Sequence, residues 1–132
     1  LSELNMHFVN SHFMHPDDLL DEDRGAALGW EKLRARLDEY MTWMNESAPS
    51  LRNLTGSELA GAVQRYGALT VDKEITDQEI RIHLGNFYDE AYLMVRINDG
   101  TPGQVTGGEL TNVTGNLYLL HAQESEVVIE RN

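Results

Sequence analysis

Five histidines are the side chains of this chain best suited to proton transfer or metal ligation. Histidine titrates near neutral pH, so a small change of surroundings turns it into an acid, a base or a ligand. His12 and His15 stand three residues apart, next to Ser11 and ahead of Pro16-Asp17-Asp18. One chemistry for this pair is metal ligation, with Asp17 or Asp18 as an oxygen ligand. Another is general acid catalysis, in which a histidine at the end of a strand protonates a leaving group while Asp17 orients its ring. A third is structural, a pair of rings that caps a strand–loop junction. Spacing leaves all three open and favours the last. His83 and His121 fall on strand positions opposite the apolar residues, where a surface role is the expectation. Phe87-Tyr88-Asp89-Glu90 puts aromatic and acidic groups side by side between two strands. Such a run can stack on and hydrogen-bond a sugar ring, and it can equally anchor its own loop. The Gly-x-Ser-x-Gly elbow, the phosphate-cradling glycine loop and the dinucleotide fingerprint are missing.

The elements that must position these groups follow from periodicity. Met6–Phe13 alternates weakly and reads as a strand that Pro16 ends. Asp17, Asp18, Asp21, Glu22 and Asp23 lack the spacing of a calcium loop and read as a solvated approach to a helix. Trp30, Leu33, Leu37, Tyr40, Met41 and Met44 share one stripe of an amphipathic helix, to be buried together. Trp43 lies about 110° from the centre of that stripe, so it belongs on a half-exposed flank. Thr55-Gly56-Ser57-Glu58 is a capping-box pattern and predicts a second helix. Leu59, Val63 and Tyr66 are expected to point inward, with Gly67 as the C-cap.

From about residue 69 the period becomes two. Ile80, Ile82 and Leu84 alternate with Arg81 and His83. Ala91–Ile97 is nearly continuous in apolar residues and predicts a central strand buried on both faces. Leu110–Val113, Leu117–Ala122 and Glu126–Glu130 are further strands. Six or seven short strands make a small antiparallel β-sandwich, jelly-roll-like. The fold class is therefore α+β, with residues 1–68 a strand–loop–helix segment and residues 69–132 the β module.

Composition narrows the partners. Ten basic residues against 22 acidic ones give a net charge of −12. That argues against nucleic acid and against an anionic membrane surface. With no cysteine, disulfides, thiolate chemistry and Cys-ligated zinc are excluded. No run approaches the ~18 apolar residues of a membrane span. Residue 1 is Leu and no leader pattern follows, so a mature, trimmed or recombinant fragment is the expectation.

Asn10-Ser11-His12-Phe13, the helix over residues 28–45, Leu54-Thr55-Gly56-Ser57-Glu58 and the helix from Leu59 to Tyr66 occur in an order that resembles a known family. It is similar to the end of the deacetylase domain of Pel-type exopolysaccharide deacetylases, relatives of the NodB-like enzymes. The resemblance covers roughly residues 5–70. It implies the edge of a distorted (β/α) barrel followed by an accessory β module, in an extracytoplasmic setting. It also implies a histidine that protonates the departing amine. By position that role falls on His12, with His15 as the fallback. The family's Asp-Asp and His-x-x-x-His motifs and its arginine motif are not in this chain. The resemblance therefore implies a C-terminal piece without a metal or cofactor of its own, inactive in isolation. Its divalent metal would be held by residues upstream. Implied partners are the deacetylase barrel of the same polypeptide and an N-acetylhexosamine polymer. Trp43, Tyr88 and Tyr92 are the substrate-binding candidates among the aromatic residues. The alternative is a non-catalytic carbohydrate-binding or scaffolding module. A free-standing metal protein using His12, His15 and Asp17 is the third possibility. A homodimer would cover apolar surface near Trp43 and Phe8–Met14. The overall charge points to a neutral or cationic glycan.

Overall fold

The computed structural model describes residues 15–132, so the expected first strand and His12 lie outside the described residues. The chain divides into two compact units, one ending at Leu51 and one running from Arg52 to Asn132.

In the first unit a 3-10 turn spans Pro16–Leu19, and helix α1 spans Gly29–Ser47. Arg24 organises the acidic run between them. Its guanidinium lies 2.6 Å from Asp18 and 3.4 Å from Asp21. The Arg24 hydrogen bond, helped by the His15 backbone N–H, holds the Asp18 carboxyl below its usual range. Leu33, Leu37, Tyr40 and Met41 are half-buried along one face of α1, and Met44 is buried. Trp43 sits on the flank as the helical arithmetic expects. Trp30 departs from the expected stripe and is 52 % exposed, because it lies in the first turn, at the open end of the helix.

The second unit opens with helix α2, Gly56–Ala68. Thr55 caps it: the Thr55 hydroxyl accepts from the Glu58 N–H, and the Glu58 carboxylate accepts from the Thr55 N–H at 2.7 Å. These reciprocal bonds satisfy two donors that a helix start otherwise leaves open. They also hold the Glu58 carboxyl below the usual glutamate value, the backbone bond contributing most. The inward face of α2 differs from the expectation. Leu59, Ala62 and Arg65 are half-buried, whereas Val63 is 58 % and Tyr66 79 % exposed. The helix is rotated so that Arg65 meets Glu90 at 3.0 Å, and the C-cap is Leu69, which packs on the core, rather than Gly67.

Seven strands follow: β1 Thr70–Ile75, β2 Glu79–Gly85, β3 Ala91–Arg96, β4 Pro102–Thr106, β5 Gly108–Thr114, β6 Leu117–Ala122 and β7 Glu126–Arg131. They form two antiparallel sheets, ordered β1-β2-β7-β4 and β3-β6-β5. The pairings nest, β2 with β7 and β3 with β6, while β4 and β5 are the innermost pair in sequence. This is the rolled ribbon of a jelly-roll-like sandwich. Ile80, Ile82 and Leu84 from one sheet and Leu120 and Ala122 from the other meet in one core with Val127 and Ile129. The α+β class is thus the observed one.

β3 is not the central strand that its composition suggests. It is an edge strand, with β6 at the centre of its sheet. Ala91 is buried, but Met94 and Arg96 are exposed. The outer face of β3 is therefore available to carry side chains for other purposes, and Tyr92 lies on it opposite His121 of β6.

Candidate functional site

The richest cluster of polar and aromatic side chains in the second unit surrounds Glu90. The β2–β3 loop, Asn86–Glu90, delivers it. Asn86 and Asp89 take left-handed backbone angles, φ 57° and 66°, which Asn and Asp tolerate better than other non-glycine residues. The Glu90 N–H donates to the Tyr88 carbonyl at 2.8 Å, closing a three-residue turn about Asp89. The Asn86 amide donates to the Ala68 carbonyl at 3.1 Å and ties the loop to the end of α2. Turn and tie together leave Tyr88 projecting, 74 % exposed.

Both oxygens of Glu90 are engaged. Oε1 accepts from Arg65 at 3.0 Å and lies 3.6 Å from the Arg52 guanidinium. Oε2 accepts from the Tyr92 hydroxyl at 3.2 Å and lies 3.1 Å from His121 Nε2. The aromatic groups stack as well. Arg52 lies 3.7 Å from the Tyr92 ring centroid, and the His121 ring is 4.4 Å from it at 4°. A guanidinium over a tyrosine face is worth about 0.5–2 kcal/mol. The arrangement is a braced wall in which every member holds another.

Two recesses share this wall. One, of about 90 Å³, is lined by Arg52, Arg65, Tyr66, Asn86, Tyr88 and Tyr92 among others. The other, of about 500 Å³, adds Ser57, Glu58 and Asp89. Of the residues expected to bind substrate, Tyr88 and Tyr92 come together here. Trp43 belongs to the first unit, where its ring stacks on Tyr40 at 6.1 Å. His15 is also in the first unit, exposed, with Nδ1 3.7 Å from Asp17 Oδ1. It lines a recess of about 370 Å³ with Asp18, Arg24, Gly25 and Leu33. Among the described residues no group of three or more His, Cys, Asp or Glu side chains is placed to hold a metal ion. His83 is exposed and pairs with Glu126.

Arg52, Arg65 and His121 are the members that sequence reading missed. Phe87–Glu90 gave the only local signal. His121 looked like a surface residue because it faces away from the core, yet the face it occupies carries the wall.

The family comparison matches residues 1–119 to an uncharacterised protein conserved in bacteria (DUF2194). The chain belongs to this DUF2194 family. The match takes in both helices and ends inside β6, so Arg52, Arg65, Glu90 and Tyr92 lie within it and His121 lies just beyond. No curated protein and no solved structure matches the chain. No helix among the described residues is long and apolar enough to cross a membrane.

Proposed function

We propose that the second unit of this DUF2194 chain is a non-catalytic carbohydrate-binding β-sandwich. One observation carries the reading: Tyr66 and Tyr88, 79 % and 74 % exposed, flank a recess whose wall is built of Arg52, Arg65 and Glu90. Large exposed aromatics beside convergent polar groups are a binding arrangement. The negative face of a tyrosine ring meets the polarised C–H groups of a sugar, while guanidinium N–H groups meet its oxygens. The test is affinity electrophoresis of the 132-residue chain against an array of soluble polysaccharides. Retardation should be lost in Tyr88→Ala and kept in His12→Ala and His15→Ala. Retardation that survives Tyr88→Ala, or its absence with every glycan, overturns the reading.

The resemblance to polysaccharide deacetylases offers a parent for this module. What favours it is the order α1, Thr55-capped turn, α2, β module. In that setting the chain is the C-terminal part of an extracytoplasmic deacetylase, with His12 or His15 supplying the acid. The coding sequence upstream should then hold an Asp-Asp and a His-x-x-x-His motif, and their absence removes this parentage.

A further inference from the structure

We infer that the smaller recess takes the carboxylate of an acidic sugar, a hexuronate, whose ring lies against Tyr88. The inference rests on the glycan-binding reading and names the class of sugar.

Size comes first. About 90 Å³ is room for a few heavy atoms and well short of the ~300 Å³ where small-molecule pockets begin. A whole sugar ring stays at the mouth, where Tyr66 and Tyr88 stand, and one substituent enters. The donors come next. The Glu90 carboxylate is saturated by Arg65, Arg52, Tyr92 and His121, so it offers little to a ligand. Arg65 spends one nitrogen on Glu90, and Arg52 makes one 3.6 Å ion pair and its stack on Tyr92. Each guanidinium carries five N–H donors in a fixed fork, so most of that capacity is free. The substituent that fits is planar, negative and acceptor-only, which describes a carboxylate.

Charge supports this locally and opposes it globally. Arg52 and Arg65 against Glu90 leave this recess one positive charge in excess, within a chain of net charge −12. At physiological ionic strength charges beyond about 8 Å are largely screened, so the groups lining the recess, Arg52 and Arg65 against Glu90, weigh most, with Glu58 and Asp89 of the adjoining recess opposing them. The neutral or cationic glycan that the overall charge suggests is thereby replaced by an acidic one.

The test is calorimetric titration of the 132-residue chain at 0.15 M salt with trigalacturonate, its neutral galactose counterpart and a galactosamine trimer. The uronate should bind about tenfold tighter than the neutral trimer or better. Arg52→Gln should weaken uronate binding far more than neutral binding, so that the ratio collapses, and Tyr88→Ala should weaken both. Arg65→Gln should act like Arg52→Gln. If it fails to fold, Arg52→Gln and Arg52→Lys decide, the lysine keeping charge but losing the fork. Equal binding of acid and neutral trimers overturns the inference and leaves the glycan reading standing. Tighter binding of the amino sugar, or of a sulfated galactose trimer, than of the uronate overturns it as well. Binding of none of these, nor of any other glycan, overturns both.

Discussion

The described residues of the two units bury very different amounts of apolar surface. In the first, Met44 is the only buried hydrophobic residue among those described, and Leu20, Leu28 and Trp30 stand 84 %, 42 % and 52 % exposed. In the second, nine buried residues form one cluster, four of them fully enclosed. The second unit also holds the Glu90 wall, with half-buried side chains whose partners come from α2, the β2–β3 loop, β3 and β6. A site of that kind needs a rigid support, because each bond in it depends on the placement of two or three elements. The sandwich provides this. α1 exposes its charged groups, and its ion pair Arg34–Asp38, at 3.7 Å, is exposed on both sides. Exposed pairs of this kind contribute little to stability.

The largest effect should come from the centre of the sandwich. Leu120 is fully buried on β6, the middle strand of its sheet. Leu120→Ala should cost about 2–5 kcal/mol, read as a fall in the urea midpoint. The comparison turns on the same truncation at half-buried Leu37 of α1, expected to cost far less. If the two variants lost equal stability, the contrast between the units would be wrong.

Next comes the corner at Gly107, where the chain leaves β4 for β5 and changes sheet. Its φ is 81°, and a Cβ there would come within 2.1 Å of the Glu126 carbonyl oxygen. That atom is backbone at the start of β7, where Glu126 pairs with His83 of β2, so it has little freedom to retreat. Gly107→Ala should cost about 1–3 kcal/mol and lower the melting temperature. Gly29 has φ 70° with nothing near a Cβ, so Gly29→Ala carries the backbone strain without the clash and should cost less.

Much of this framework was legible in the sequence, and the reasons are local. Period-two alternation at Ile80–Leu84 and the capping box at Thr55 are properties of neighbouring residues, so they could be read without a tertiary structure. β3 could not. Its apolar run satisfies a buried strand and an edge strand equally, and the choice depends on which strands pair with it. The rotation of α2 has the same character. Tyr66 is the more apolar choice for an inward face, but Arg65 finds Glu90 twenty-five residues away, and that long-range pair decides. The site was half visible for the same reason. Tyr88 and Glu90 announce themselves in one short run, whereas Arg52, Arg65 and His121 join them only through the topology.

The Thr55 cap provides a smaller test. Thr55→Ala removes a side-chain acceptor at the start of α2 and should cost about 1 kcal/mol. The Glu58 partner adds a pH dependence of known sign. Its carboxyl is held below the usual 4.5 in the folded chain, so its contribution is present above that value and is lost as pH falls through the lowered one. Acid titration of stability should therefore be shallower in Glu58→Gln than in the parent chain. Asp18 gives the first unit a dependence of the same sign through Arg24, so Asp18→Asn should flatten a separate part of the curve.

The smallest expected change is the most informative about the site. Tyr66 and Tyr88 are large side chains with most of their surface in water, and no hydrogen bond of either side chain supports the fold among the described contacts. Tyr66→Ala and Tyr88→Ala should therefore shift stability by no more than about 0.5 kcal/mol. Tyr92 differs only in position, one register step along β3 from the buried Ala91, yet it bonds Glu90 and carries both Arg52 and His121 on its ring. Tyr92→Ala should lose stability and binding together, whereas Tyr88→Ala should lose binding alone. Chemical denaturation and glycan titration of the two variants side by side separate a residue that builds the wall from one that faces the ligand. If Tyr88→Ala proved as destabilising as Tyr92→Ala, the exposed ring would be part of the support and the stacking platform would have to be sought elsewhere.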